Sequence, residues 1–459
     1  MKINTSPISG TQELLPEVQA TFNNLKTKIN QSYNAHGFLD IETPSIERTD
    51  ILLAKAGGET EKQIYKVIKT SEKEEDVSQA LRFDHTVPLA RYVVEHENDL
   101  TFPFKVSQVG LNFRGERAQK GRFREFYQCD IDVVGRNTLP LAYDADVIAT
   151  LLDTFYSFEL NTPVLARISN RKILAGLLDS LGLAEKTPEI SHIIDHAEKT
   201  TPEKTKLDLE NLELDQNQVK TILSFINLNG PRAEIIDQLN NLGLENELFA
   251  TGINELNEIL NLLEALGYES AATADMKIIR GLDYYTGTVF EFILPEYKNL
   301  GSVAGGGRYD NLTKYFSDRS FPGVGGSIGL TRLFFTLNEH GLLPDSTTGL
   351  LDYAIIPIEN SDLAPAMQIA ADFRARGESV SVVLTDKKLS DKMSYASKIA
   401  THGIVIGPSE VESGQVKIKD FATGKTHDIS LPDLKQNQDS PSADPTDFWK
   451  NEDKPSLFD

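Results

Sequence analysis

Residues 101 to 135, TFPFKVSQVGLNFRGERAQKGRFREFYQCDIDVVG, read as two strands joined by a polar, glycine-containing loop, which is a long hairpin. Successive side chains of a strand point to opposite faces, so Tyr127, Cys129, Ile131 and Val133 share one face of the second strand. Arg124, Phe126, Gln128, Asp130 and Asp132 share the other. A strand with so polar a face either meets water or lines a site. The loop between the strands holds RGERAQKGRFR, five Arg or Lys against one Glu, in a chain whose 46 basic and 68 acidic residues leave a formal charge of -22. That balance disfavours a protein that coats nucleic acid by bulk attraction and makes the local basic patch stand out.

A chain of 459 residues has room for about three domains of the usual size of roughly 150 residues. Its hydrophobic fraction of 40% and aromatic fraction of 8% describe an ordinary globular chain rather than a disordered one. No apolar run approaches the roughly 18 residues a bilayer span requires. The start, MKINTSPISG, lacks a basic region followed by an apolar stretch, so a cytoplasmic location is expected. The single cysteine, Cys129, can form neither an intramolecular disulfide nor a cysteine zinc site; it is expected to be a buried, unreactive thiol in a reducing compartment.

Along the chain, Leu14, Val18, Phe22, Leu25 and Ile29 have helical spacing, and a strand is expected in GFLDIETPSIE, where Pro44 interrupts any helix. Residues 168 to 270 are rich in Leu, Asn, Glu and Lys at helical spacing and are expected to form a helical insertion. Strand character returns in MKIIRGLDYYTGTVFEFIL, and in FPGVGGSIGLTRLFFTLNEHG a glycine-rich turn is expected to feed a helix. Residues 340 to 350 have linker composition; beyond them DYAIIPI, AMQIAADFRARG, VSVVLT and GIVIG alternate strand and helix as in a small α/β domain. From about 433 the Asp, Pro and Ser content predicts a disordered acidic tail. Four arginines have distinctive settings: Arg114 in FRGE, Arg280 in IIRGLDYYTGTVFEF, Arg308 in GGGRYD and Arg332 in GSIGLTRL. A guanidinium is a permanent cation whose fork matches phosphate and carboxylate oxygens, and flanking glycines let a large anion approach. Arg308 is expected to be structural.

From about Gly10 to about Leu431 the chain resembles the histidyl-tRNA synthetases, a family of class II aminoacyl-tRNA synthetases. IETPSIE, FRGERAQKGRFREFYQ and GVGGSIGLTRL resemble the three motifs of the class, and RGLDYYTGTVFEF with GGGRYDNL resembles the signature of the histidine enzymes. The resemblance implies an α+β protein. Residues 1–340 would form a class II catalytic domain, an antiparallel sheet flanked by helices with the helical insertion; 351–432 would form an α/β anticodon-binding domain, and 433–459 the tail. It also implies an ATP-dependent ligase that joins L-histidine to tRNA(His) through a histidyl-adenylate, releasing AMP and pyrophosphate. Mg2+ would accompany ATP, no protein metal ligand is expected, and the first motif would lie at a homodimer interface.

Activation brings a carboxylate against the α-phosphate of ATP, so cations must converge there. By resemblance Arg114 holds the α-phosphate, Arg280 bridges carboxylate and α-phosphate, and Arg332 holds the γ-phosphate, while Phe126 stacks on adenine with Glu116 at its edge. Asp84, Thr86 and Gln128 would meet the α-ammonium group, and Asp132 and Tyr285 the imidazole, with Tyr284 and Tyr309 behind them or merely packed. Asp84 is also the residue type that starts helices. Gln119 would reach the first base pair of the tRNA acceptor end, with Arg117, Lys120 and Arg122 near phosphates. Lys387, Lys388, Lys392 and Lys398 form a modest cationic set toward the anticodon stem. His85 is expected to have no catalytic role, because nothing near it in sequence offers a base or metal partner. The third motif departs from the family in having Thr331 where a Glu usually precedes the Arg. Two other readings use the same motifs. One is a catalytically silent paralogue that regulates the first enzyme of histidine biosynthesis and lacks the anticodon domain; the other is a histidine-sensing module in a larger regulator.

Overall fold

The computed structural model describes residues 3–54, 59–71, 78–117, 121–279, 285–310, 312–343 and 351–430. They divide into two compact units, the first drawn from residues 1–14 and 22–345, the second from 15–21 and those after 345. The fold is α+β. The expected tail, the linker stretch 344–350 and the side chains of Gln119, Lys120, Arg280 and Tyr284 lie outside the described residues.

A nine-stranded sheet organises the first unit. Its strands are β1 (Leu39–Asp40), β2 (Phe104–Phe113), β3 (Glu125–Val134), β4 (Leu165–Asn170), β5 (Asn229–Gly230), β6 (Ala272–Asp275), β7 (Thr288–Ile293), β8 (Ala304–Tyr309) and β9 (Gly323–Ile328). Their spatial order is β1-β2-β3-β9-β8-β7-β4-β6-β5. Pairing is antiparallel from β2 through β4, and parallel where β1 joins β2 and β6 joins β4. The expected hairpin is the β2–β3 pair, running in register from Phe104 opposite Val134 to Phe113 opposite Glu125.

One face of this sheet carries the core. Cys129, Ile131 and Val133 of β3, Val324 and Ile328 of β9, and Phe290 and Phe292 of β7 are all buried. Against them pack α1 (Pro16–Ala35), α3 (Ala142–Ser157) and α6 (Leu330–Glu339), with Phe155 stacked on Phe292 and Phe22 edge-on to Phe334. In α1 the buried residues Phe22, Leu25, Ile29 and Tyr33 follow the three-and-four spacing of one helical face. The Tyr33 hydroxyl donates to the Cys129 carbonyl at 2.9 Å, so the helix is tied to β3 by a buried hydrogen bond as well as by apolar contact. The helix α2 (Thr86–Glu95) buries Leu89, Ala90 and Val93, with Leu89 and Val93 in one apolar cluster with Phe104 and Val106 of β2.

Two expectations change. The glycine-rich segment before α6 is the strand β9 and not a turn, because β8 and β9 approach so closely that a Cβ on Gly306 would lie 2.1 Å from the Gly325 carbonyl oxygen. The helical insertion begins at Arg171 rather than 168, since Ile168, Ser169 and Asn170 belong to β4, paired along its length with β7. The Asn170 side chain then accepts from the Lys172 amide and starts α4 (Arg171–Ser180). The helices of this region end with α5 (Glu247–Ala265), whose Gly252 lies so close to Ile173 of α4 that a Cβ would come within 2.7 Å.

The second unit is an α/β sheet of β10 (Leu351–Pro357), β11 (Val380–Val382), β12 (Ala400–Ile406), β13 (Gln415–Asp420) and β14 (Thr426–Ser430) in the order β11-β10-β12-β13-β14. The first three are parallel and the last two add an antiparallel hairpin, with α7 (Leu363–Ala375) and α8 (Leu389–Ile399) as crossovers. The lysine set does not hold together. Lys392 is 5% exposed and its ammonium donates to the Pro357 carbonyl at 2.9 Å, closing the end of β10, whereas Lys387, Lys388 and Lys398 are exposed.

Candidate active site

Around β3 the face of the large sheet opposite the core is rich in polar residues and glycines. Register puts Gly110 opposite Gln128 and Gln108 opposite Asp130 on one side of β3, and Gly325 opposite Asp132 and Ser327 opposite Asp130 on the other. Directly paired residues share a face, so the parity of β3 propagates across the sheet. Beside Asp132 the floor is bare backbone: a Cβ on Gly325 would fall 2.0 Å from Asp132 Oδ1. Over Gly307 lies the Tyr285 ring, 2.9 Å from where a Cβ would stand.

Two cavities occupy this face. The larger, about 460 Å³, is lined by Arg114, Glu116, Arg122, Phe126, Gln128, Ser327, Gly329 and Arg332. Arg114 follows the last residue of β2, and its guanidinium lies 4.4 Å from the Phe83 ring centre and 5.1 Å from that of Phe126. Its Nε donates to the Phe83 carbonyl at 3.3 Å and its Nη2 to Gln128 Oε1 at 3.4 Å, so the fork is held before any anion arrives. Arg332, in the first turn of α6, is exposed and donates to the Leu300 carbonyl at 2.8 Å. Thr331 Oγ1 accepts from the Tyr127 amide at 2.8 Å, so the residue that replaces the usual Glu ties α6 to β3. Arg122 sits on the cavity wall, 3.4 Å from Glu116, while Arg117 is exposed.

The smaller cavity, about 60 Å³, is lined by Asp84, Thr86, Arg114, Gln128, Asp130, Asp132, Tyr285, Tyr309 and Ser327. Arg114, Gln128 and Ser327 line both, so the cavities adjoin. Burial holds the Asp132 carboxyl well above the usual carboxylate range, and the neighbouring Asp130 charge adds to this, although the Tyr309 hydroxyl donates to Oδ1 at 2.8 Å. Burial also raises the Asp84 carboxyl, against the hydrogen bond it accepts from the Val87 amide at 3.0 Å. Asp84 therefore does both things considered for it: it starts α2 and lines the cavity. Asp84 and Thr86 converge through this helix start and not through extended alternation.

The other expected residues fall elsewhere or acquire partners. Arg308 lies on the core face, where it makes a buried ion pair with Asp144 at 2.7 Å and donates to the Leu139 and Pro140 carbonyls. Arg124 is drawn away from the face of β3 to the Ser9 and Glu116 carbonyls. His85 does have an acidic partner, Asp130, 2.8 Å from Nδ1 across 45 positions of sequence. Cys129 is buried, and burial pushes its thiol up. Among the residues missed, Asp130 had a signal in its parity with Gln128 and Asp132; Asn112 and Ser327 had none without the register. Among the described residues no cluster of three or more His, Cys, Asp or Glu could hold a metal ion. The larger cavity's only described carboxylate, Glu116, is paired with Arg122.

A family model described as histidyl-tRNA synthetase matches residues 10–333, and one described as an anticodon binding domain matches 352–437. The chain belongs to the histidyl-tRNA synthetase family. The histidine–tRNA ligase of Clostridium acetobutylicum is 40% identical over 436 residues, covering 94% of this chain and 99% of that relative. The crystal structure of histidyl-tRNA synthetase from Nostoc sp. PCC 7120 superposes with a TM-score of 0.85 at 35% identity, covering 94% of this chain and 98% of that one. An ATP phosphoribosyltransferase regulatory subunit/histidyl-tRNA synthetase from Bacillus halodurans C shares the fold, with a TM-score of 0.71 at 22% identity over 86% of this chain and 97% of that one. A histidyl-tRNA synthetase needs a nucleotide site beside an amino-acid site, and the two adjoining cavities have that relation.

Proposed function

We propose that the larger cavity binds ATP and the smaller one histidine, and that the chain joins histidine to tRNA(His) through a histidyl-adenylate, releasing AMP and pyrophosphate. The observation that carries this is the position of Arg114, whose guanidinium lines both cavities at their junction. There the histidine carboxylate and the α-phosphate, two anions, must meet, and a fixed cation counts most as negative charge builds on the phosphate oxygens. Arg280 bridges the same two groups, Arg332 takes the γ-phosphate, Phe126 stacks on adenine and Glu116 lies at its edge. A magnesium ion arriving with ATP would supply further positive charge at the phosphates.

Histidine is held at both ends. Asp84, Thr86 and Gln128 meet the α-ammonium group; Asp132 and Tyr285 meet the imidazole, with Tyr309 fixing Asp132 and Tyr284 a further candidate for this site. Buried donors and acceptors reject an isosteric side chain because the wrong ligand leaves them unpaired. Arg117, Gln119, Lys120 and Arg122 of the basic loop receive the tRNA acceptor end, and the second unit the anticodon stem. Two chains pair through the Pro44 segment, where Leu39, in the two-residue edge strand β1, and Ile46 are 63% and 48% exposed. The protein works in the cytoplasm. No helix among the described residues is long and apolar enough to cross a membrane. The regulatory-paralogue reading is disfavoured by the second unit and by Arg114, Arg280 and Arg332, all present here.

Histidine-dependent ATP–pyrophosphate exchange tests the proposal. Asp132→Ala should raise the KM for histidine by about tenfold or more with little change in the KM for ATP, as expected when a buried polar contact is lost. A well-folded preparation with no exchange activity refutes the assignment.

A further inference from the structure

Beneath the smaller cavity a ring of polar contacts joins α2, β2, β3 and β9. His85, 1% exposed, points Nδ1 at Asp130 Oδ2, 2.8 Å away. The other Asp130 oxygen accepts from the Ser327 hydroxyl. Ser327 Oγ in turn accepts from Gln128 Nε2 at 2.9 Å, and Gln128 Oε1 accepts from Asn112 Nδ2 at 2.8 Å and from Arg114 Nη2 at 3.4 Å. Asn112 Nδ2 also lies 3.5 Å from His85 Nδ1, a packing contact and not a hydrogen bond, since the Nδ1 hydrogen goes to Asp130.

The directions of these bonds follow from a single acceptor. A carboxylate only accepts, so the one hydroxyl hydrogen of Ser327 is committed to Asp130 and its oxygen is left to receive an N–H. Gln128 must then turn its amide nitrogen to Ser327 and its carbonyl oxygen to Asn112 and Arg114. The opposite rotamer would set its NH2 against the Asn112 NH2 and the Arg114 guanidinium, donor against donor. His85 Nδ1–H holds the second Asp130 oxygen, which leaves the first for Ser327. On the far side of the ring, a Cβ on Gly110 would meet both Arg82 Nη2 at 2.6 Å and His85 Nε2 at 3.3 Å. Nε2 itself is buried with no hydrogen-bond partner among the described residues, and because Asp130 can only accept, the hydrogen shared with it sits on Nδ1.

We propose that His85 is a positioning residue for histidine recognition, acting through Asp130 and Ser327 to aim the Gln128 carbonyl oxygen at the substrate's α-ammonium group, which supplants the long 3.4 Å bond from Arg114. This rests on the assignment of Gln128 given above. His85→Leu keeps the volume and removes the donor, whereas His85→Asn returns an amide N–H near the place of Nδ1. In pyrophosphate exchange His85→Leu should raise the KM for histidine about tenfold, the effect of losing one hydrogen bond to a charged group, with the KM for ATP within about twofold. His85→Asn should restore histidine KM to within about threefold of the parent. Inhibition by 3-(imidazol-4-yl)propionate, which has the ring but no ammonium, should be unchanged by either substitution. Equal weakening by Leu and Asn, or equal losses for histidine and the propionate, would overturn the proposal in favour of simple packing. Gln128→Ala measured alongside separates the two levels. An unchanged histidine KM there removes the Gln128 assignment and this inference with it; a raised KM beside a silent His85→Leu removes this inference alone. If His85→Leu does not fold, Asn112→Leu breaks the ring on the other side of Gln128 and carries the same expectation.

Discussion

A single methyl group placed on Gly325 collides with the carboxylate assigned to the histidine imidazole. The added Cβ would stand 2.0 Å from Asp132 Oδ1, 2.7 Å from its Cγ and 2.8 Å from the Ile131 carbonyl oxygen. Ordinary non-bonded separations are about 3.5 Å, so the carboxylate must retreat by more than about 1 Å. It has little room to do so, since Asp132 is 5% exposed and Oδ1 is already bonded to the Tyr309 hydroxyl. The Ile131 carbonyl belongs to β3 and cannot swing aside without disturbing its pairing with β9. A displacement of about 1 Å in a binding group can cost about 100-fold, or ~2.7 kcal/mol. Gly325→Ala should therefore lower kcat/KM for histidine by about that factor in pyrophosphate exchange, mostly through KM, while KM for ATP stays within about threefold. Overpacking of this kind also costs about 1–3 kcal/mol of stability, visible in urea unfolding. A variant with the parent's histidine KM and the parent's unfolding midpoint would show that Asp132 does not sit where histidine binds.

Arg308→Met strands the buried Asp144 carboxylate and should destabilise the first unit by about 3–5 kcal/mol in chemical denaturation; Arg308→Met with Asp144→Leu should recover a large part of that loss. Asp132→Asn should make the ligand-free protein more stable near neutral pH, because burial raises the native carboxyl's pKa and ionisation then costs stability. That cost builds as pH rises from the unfolded carboxyl's pKa, about 3.9, toward the raised native value, so the gain should shrink as pH is lowered to about 4 in thermal melts. Lys392→Met should lower the stability of the second unit by about 1–3 kcal/mol through the carbonyl left unpaired, yet leave the salt dependence of tRNA binding unaltered.

The polar face of β3 was legible before any coordinates, because alternation in a strand is a local property: Phe126, Gln128 and Asp132 line the cavities and Cys129 is buried behind them. The hairpin, the helix from Pro16 to Ala35 and the alternating elements after Leu351 were legible for the same reason. Glycines misled where their cause was distant. In GVGGSIG they suit a turn by composition, but what demands them is the closeness of β8 and of Asp132. Lys392 looked like a surface cation because its receiving carbonyls, Pro357 and Ile358, lie 35 and 34 positions away.

What the sequence determined by itself was the chemistry available, namely which arginines, carboxylates and tyrosines the chain owns and which face of its own strand each occupies. Partnership was decided only in three dimensions. Whether His85 meets a carboxylate, whether Arg308 faces a ligand or the core, and which way the Gln128 amide points all depend on strand order and register between segments far apart in the chain. Hydrogen bonds and ion pairs act over a few ångströms, so their members are chosen by the packing of the sheet and not by distance along the polypeptide.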